Sequence, residues 1–217
     1  MLVIDALVCF ISGLGIGWAI DELNLWLEKK WFSDSDARMT LPRWVLPLIT
    51  AIVLGGLITK NGLSTDTLAT SLWAAILIQI SALDLRQRVI LDVVTYPTII
   101  AALLLSLMLA NIPWQSCLLG IGIGAGILIP IALISDVIYH GGAFGWGDVK
   151  LGAVLGAMIG FSMNSSAPTV VTAIMAGILL AGVVVTILLV TRVMKMSDTL
   201  AYGPFLAAGG MMALFMR

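Results

Sequence analysis

A chain of 217 residues that is 60% hydrophobic and only 11% charged, with a mean hydropathy of +1.11, carries more apolar surface than a soluble domain can bury. Its formal net charge of -1 is uninformative about nucleic acid, but no basic run suggests a polyanion partner, so nucleic acid is not an expected partner. The apolar runs are too long and too poorly alternating for barrel strands, which leaves an all-α, polytopic protein whose first partner is the lipid bilayer.

At about 20 residues per span, the chain reads as eight transmembrane helices. The first covers residues 2–20. It has no basic stretch before its apolar run and carries Asp5, so it is expected to remain as a membrane anchor rather than be cleaved. Gly13, Gly15 and Gly17 offer it close packing. Residues 21–43 are the longest polar stretch, in which Leu23, Trp26, Leu27, Lys30 and Trp31 fit a short amphipathic helix lying in the interface. Further spans are expected over 44–58, 67–83 (ending directly in Asp84), 93–110, 116–139, the Asp148 helix ending near Phe161, 169–193 and 200–216. The expected organisation is one membrane-embedded domain, 1–217, in which 1–66 hold the N-terminal helices and a cytoplasmic loop and 67–217 hold the catalytic helices.

Basic residues orient this set. Lys29, Lys30, Arg38, Arg43, Arg86, Arg88, Lys150, Arg192 and Lys195 fall in loops on one face, and only Lys60 and Arg217 on the other. The positive-inside rule puts the first face in the cytoplasm and both termini outside. Asp84 and Asp148 are then expected on the same side at the same depth, where two carboxylates can meet.

Asp148 heads an otherwise apolar helix within the stretch GGAFGWGDVKLGAVLGAMIG, residues 141–160. A carboxylate in that position is costly to desolvate and marks a functional site by default. Asp148, Gly152, Gly156 and Gly160 recur at i+4 and form a small-residue stripe on one face. Gly145 and Gly147 leave the backbone before Asp148 without Cβ atoms, so an extended peptide has room to lie there. Two carboxylates in a low-dielectric site share a proton. The ionised partner deprotonates a water while the protonated one hydrogen-bonds a carbonyl, so peptide hydrolysis needs neither cofactor nor covalent intermediate. The plain alternative is a pair of helix caps at the membrane rim. It suits Asp92, which precedes a helix as an N-cap does. It suits Asp84 less, because a negative charge at a helix end opposes the dipole.

The motifs on this chain resemble those of the type IV prepilin peptidases, aspartic GxGD membrane proteases that cleave prepilin leader peptides. The resemblance rests on Asp84, Asp92, Thr95 and Pro97, and on Gly145, Gly147, Asp148, Lys150, Leu151, Ala153, Gly156, Ala157 and Gly160. It is completed by the GPFLA segment at residues 203–207 and covers roughly 83–210. It implies that Asp84 and Asp148 are the catalytic pair, that Gly145, Gly147, Gly203 and Pro204 bind substrate, and that the substrates are prepilin or pseudopilin-like membrane proteins of pilus or type II secretion systems. It also implies the inner membrane as the location. Leu91 stands where the family usually has Pro, and Asp21 where Asn is usual. The cysteine module that many members carry between their first two helices is absent, so the family's second activity, N-methylation of the new N terminus, is not expected.

Two other classes compete. An ion-coupled carrier needs two related halves with matching acids, and Asp84 and Asp148 stand in dissimilar contexts with no internal repeat. An inactive, peptidase-like assembly protein has no need of both aspartates. Among the remaining polar residues, Asp136 is expected to be a satisfied group near the interface, and His140 a loop residue. Lys150 is expected to reach lipid headgroups and Arg86 and Arg88 to set topology. Asn164, Ser165 and Ser166 fit a glycosylation sequon too common to use. Cys9 and Cys117 are small hydrophobic packers, and no metal site is expected.

Overall fold

The structure, a computed structural model, describes residues 2–32, 41–109, 112–139, 145–163, 167–192 and 200–216. His140, the sequon at 164–166, Arg38, Lys195 and Arg217 lie outside the described residues, as does the side chain of Cys9. The described residues form eight helices and no strand. In order they are α1 Leu2–Trp31, α2 Val45–Asn61, α3 Thr65–Gln87, α4 Asp92–Leu109, α5 Trp114–Tyr139, α6 Trp146–Ile159, α7 Val170–Val190 and α8 Gly203–Phe215. Three of them are long and apolar enough to cross a membrane: Thr65–Gln87, Trp114–Val137 and Val170–Val190. On α7 the large side chains Leu179, Val183, Ile187 and Val190 are exposed, as a lipid-facing stripe requires.

The chain forms two compact units, residues 1–89 and 90–217. In the first, α1 packs along α2, and both pack against α3. Gly13 and Gly17 of α1 make this possible. A Cβ on Gly13 would stand 2.6 Å from the Ala51 Cα, and one on Gly17 would stand 2.5 Å from the Pro47 Cα. Gly15 faces open space, because only residues four apart return to the same helix face. Leu46, Leu54, Leu57, Trp73, Leu77 and Leu83 fill the core of this unit.

The separate interfacial helix expected within 21–43 is instead the continuation of α1, which runs unbroken for 30 residues. Nothing between Ala19 and Trp31 is Gly or Pro, so no residue there stops a helix. Asp21, read as the start of a polar loop, is fully buried inside that helix and paired with Arg86. The third helix likewise runs one turn beyond Asp84. Ser64 caps its start, accepting from the Thr67 amide at 3.1 Å, and Arg88 ends it in the left-handed conformation with φ 55°.

In the second unit α6 is the central element, packed by α4, α5, α7 and α8. Nearly every residue from Asp148 to Ile159 is buried. Its glycine stripe meets that of α5 backbone to backbone: a Cβ on Gly120 would lie 2.2 Å from the Gly156 carbonyl oxygen, and one on Gly124 would lie 2.1 Å from that of Gly152. Leu151, Val154, Leu155 and Met158 fill the faces turned to the other helices. Gly160 closes α6 with φ 74°, a conformation that L side chains adopt only under strain. The Phe161 amide then donates to the Ser116 carbonyl at 2.9 Å, tying the end of α6 to the start of α5.

Candidate active site

Each predicted aspartate is buried in its own unit. Asp84 is 5% exposed and sits at the head of the last turn of α3. Its backbone carbonyl accepts the Arg88 amide at 2.8 Å, the bond that terminates the helix. Buried residues flank it, with Leu83 before it and Arg86 and Gln87 after it.

Asp148 is 7% exposed and occupies the first turn of α6. Gly145 is the N-cap residue; its amide donates to the Asp148 Oδ2 at 3.3 Å while its carbonyl accepts the Asp148 amide at 3.0 Å. A carboxylate there satisfies an orphan backbone donor and stands at the positive end of the helix dipole. Two of the glycines expected to admit substrate behave differently. Gly145 is exposed, and a Cβ on it would touch little besides the Asp148 carboxylate at 3.6 Å. At Gly147 the missing Cβ makes room for Ile90, whose own Cβ would lie 3.1 Å away. Gly203 is buried and Pro204 is half-buried at the first turn of α8, where Pro needs no intrahelical donor.

The other side chains of this helix start are also engaged. The Trp146 Nε1 donates to the Asp136 Oδ2 at 3.1 Å, so Asp136 is satisfied, as expected. Lys150 does not run free to the headgroups: its Nζ donates to the Asp92 Oδ1 at 2.5 Å and lies 5.8 Å from the Tyr96 ring centroid. Asp92 is accordingly the first residue of α4, with its carboxylate spent on Lys150 rather than on a cap. Residues 92 and 150 are far apart in the chain and no periodicity connects them, so sequence alone offers no signal for this pair.

A second cluster escaped the sequence reading entirely. Arg86, expected to be a loop charge, is buried at 5% exposure, and its Nη2 donates to the Asp21 Oδ1 at 2.6 Å. Its Nη1 reaches the Glu28 Oε1 at 3.5 Å. Arg43 approaches the other Asp21 oxygen at 3.7 Å and also pairs with Glu22. Two turns earlier on α3, the Gln79 carbonyl accepts the Asn24 side-chain amide at 3.5 Å. The available signal was the 21, 24, 28 spacing of polar residues on one face of an otherwise apolar segment. No group of three or more His, Cys, Asp or Glu capable of holding a metal ion occurs among the described residues.

Comparison with known proteins adds the family. The model of the type IV leader peptidase family matches residues 71–190, more than half of the chain, and this span contains both Asp84 and Asp148. Among curated proteins, the chain is 32% identical over 181 residues to the prepilin leader peptidase/N-methyltransferase of Dickeya chrysanthemi, an alignment covering 80% of this chain and 60% of that protein. It is 30% identical over 172 residues to the protein of the same name from Burkholderia pseudomallei strain 1026b, covering 79% of this chain and 53% of that one. The chain thus spans little more than half the length of these curated relatives. No solved structure matches it significantly. With both buried aspartates inside the matched span, the chain belongs to the type IV leader peptidase family.

Proposed function

We propose that this protein is a membrane aspartic endopeptidase that removes the N-terminal leader of type IV prepilin-like or pseudopilin-like substrates at the cytoplasmic face of the inner membrane. The observation that carries the proposal is that the family match spans two carboxylates, Asp84 and Asp148, each buried at a helix end. Outside a functional site, such groups would be an expense without a return. The distribution of basic residues supports placing both on the cytoplasmic side.

The two helix ends divide the labour. The first turn of α6 and the Gly145 amide favour negative charge at Asp148. Asp84, in the last turn of α3, carries the other carboxyl of the pair. Asp148 takes a proton from water as the hydroxyl attacks the scissile carbonyl, and Asp84 hydrogen-bonds the oxygen on which charge develops. Collapse of the tetrahedral intermediate breaks the C–N bond, and a proton from the pair goes to the leaving amine. The substrate backbone approaches along the exposed Gly145, with Gly203 and Pro204 bordering its path.

The test is leader removal from a co-expressed prepilin, read as a gel shift. Asp84→Asn and Asp148→Asn are each expected to abolish cleavage while leaving an inserted, folded protein. Full activity in either variant overturns the dyad.

A further inference from the structure

We propose that Asp21 and Glu28 of α1, acting through Arg86, are positioning residues that fix the last turn of α3 and so the Asp84 carboxylate. The inference rests on the reading of Asp84 as catalytic. Helix ends fray, and the last turn of a helix has carbonyls with no partner in the helix. A catalytic carboxylate on such a turn needs its geometry imposed from outside, because small displacements carry large rate penalties.

Arg86 supplies the handle. It lies two residues beyond Asp84 in the turn that the Arg88 amide closes on the Asp84 carbonyl. Its guanidinium is anchored on α1 by two carboxylates seven residues apart, Asp21 at 2.6 Å and Glu28 at 3.5 Å. The rigid fork of a guanidinium held at both nitrogens leaves the turn little freedom to rotate or slide. Burial makes this directional. The side chains of Arg86 and Asp21 are 6% and 1% exposed, so water does not replace the partner when one is lost. The Asn24 bond to the Gln79 carbonyl secures the same helix pair two turns back along α3. A buried Arg86 paired on both sides of its guanidinium is well placed to hold a turn.

The experiment uses the full chain in lipid, with a prepilin-like substrate, and compares wild type with Asp21→Asn and with the double variant Asp21→Leu/Arg86→Met. Three quantities are measured: kcat and KM for leader removal, the thermal midpoint, and hydrogen exchange at the amides of residues 85–88. Asp21→Asn is expected to lower kcat about tenfold or more with KM unchanged, and to speed exchange at 85–88. The apolar double variant removes both buried charges, so its thermal midpoint should return toward wild type. Its kcat should stay low, because an apolar contact does not fix the turn's rotation. A double variant that regains both midpoint and kcat shows a purely structural pair and overturns the proposal, as does wild-type kcat in Asp21→Asn. Should the wild type itself fail to cleave, the peptidase reading fails. The clamp is then decided by exchange alone: faster exchange at 85–88 sustains it and unchanged exchange overturns it.

Discussion

Lys150 illustrates how little a charge reveals about its partner. On a helix start near the membrane rim, a lysine has lipid phosphates, water and carboxylates all within reach, and the structure pairs it with Asp92 on α4. Its side chain is 34% exposed and that of Asp92 54%, so solvent screens the pair and its contribution is small. A double-mutant cycle on Asp92→Ala and Lys150→Ala, followed by thermal unfolding in detergent, should give a coupling of about 0–1 kcal/mol. Because Asp92 is occupied in this way and lies outside the proposed dyad, Asp92→Asn should retain measurable leader cleavage in the gel-shift assay. An inactive Asp92→Asn beside an active Asp84→Asn would move the first catalytic aspartate to position 92. Asp148 contrasts with Lys150. Its placement follows from local chain geometry, since an Asp three residues after a glycine N-cap meets the free amides of a helix start whatever surrounds it.

At the scale of elements, the α5 and α6 pair depends on an absence of side chains rather than on a match between them. Lipid tails are as apolar as leucine, so helices in a bilayer gain little by burying large apolar residues against each other. They gain by close backbone approach, and Gly120 and Gly124 meet Gly156 and Gly152 with no space for a methyl group. Gly120→Ala should therefore force the helices apart, at a cost of about 1–3 kcal/mol or more, and sharply reduce the yield of folded protein. Gly122→Ala, facing open space on the same helix, should leave yield and thermal midpoint unchanged. Equal behaviour of the two variants would refute the close packing. The same geometry bears on the site, because α6 carries Asp148 and the α5 interface sets how far that helix can move.

Orientation in the membrane belongs to the whole molecule. With Cys9 and Cys117 replaced by Ala, single cysteines at Val89, Leu63 and Met163 offer exposed reporters. A membrane-impermeant thiol reagent added to intact cells should label positions 63 and 163 and leave 89 unlabelled until the cells are opened. Labelling of position 89 from outside would reverse the topology. Methyl transfer is also a property of the complete protein. The two curated relatives carry N-methyltransferase in their names, and the alignments cover 60% and 53% of their lengths. Its 21–43 segment contains no Cys or His to build a tetrahedral zinc site. Mass spectrometry of processed substrate should find a free N-terminal amine, and elemental analysis should find zinc well below one per chain. Quantitative N-methylation by this protein alone would contradict the first expectation.

Much of the fold was legible from hydropathy, since a bilayer imposes helical hydrogen bonding on any long apolar run. All eight helices were visible in this way, and so were the GxGD turn and the burial expected of Asp84 and Asp148. Boundaries and partners were not. Asp21 reads as the end of a span because an isolated carboxylate terminates an apolar run. In the fold its charge is met by Arg86, 65 residues later, and by Arg43, and α1 continues to Trp31. Gly13 and Gly15 are indistinguishable as letters, yet one meets Ala51 and the other meets nothing. The sequence by itself determined what each residue costs in a membrane: which runs must be helical, and which carboxylates have to be accounted for. Tertiary structure alone decided which charge offsets which, because pairing energy depends on distances between residues that are remote along the chain.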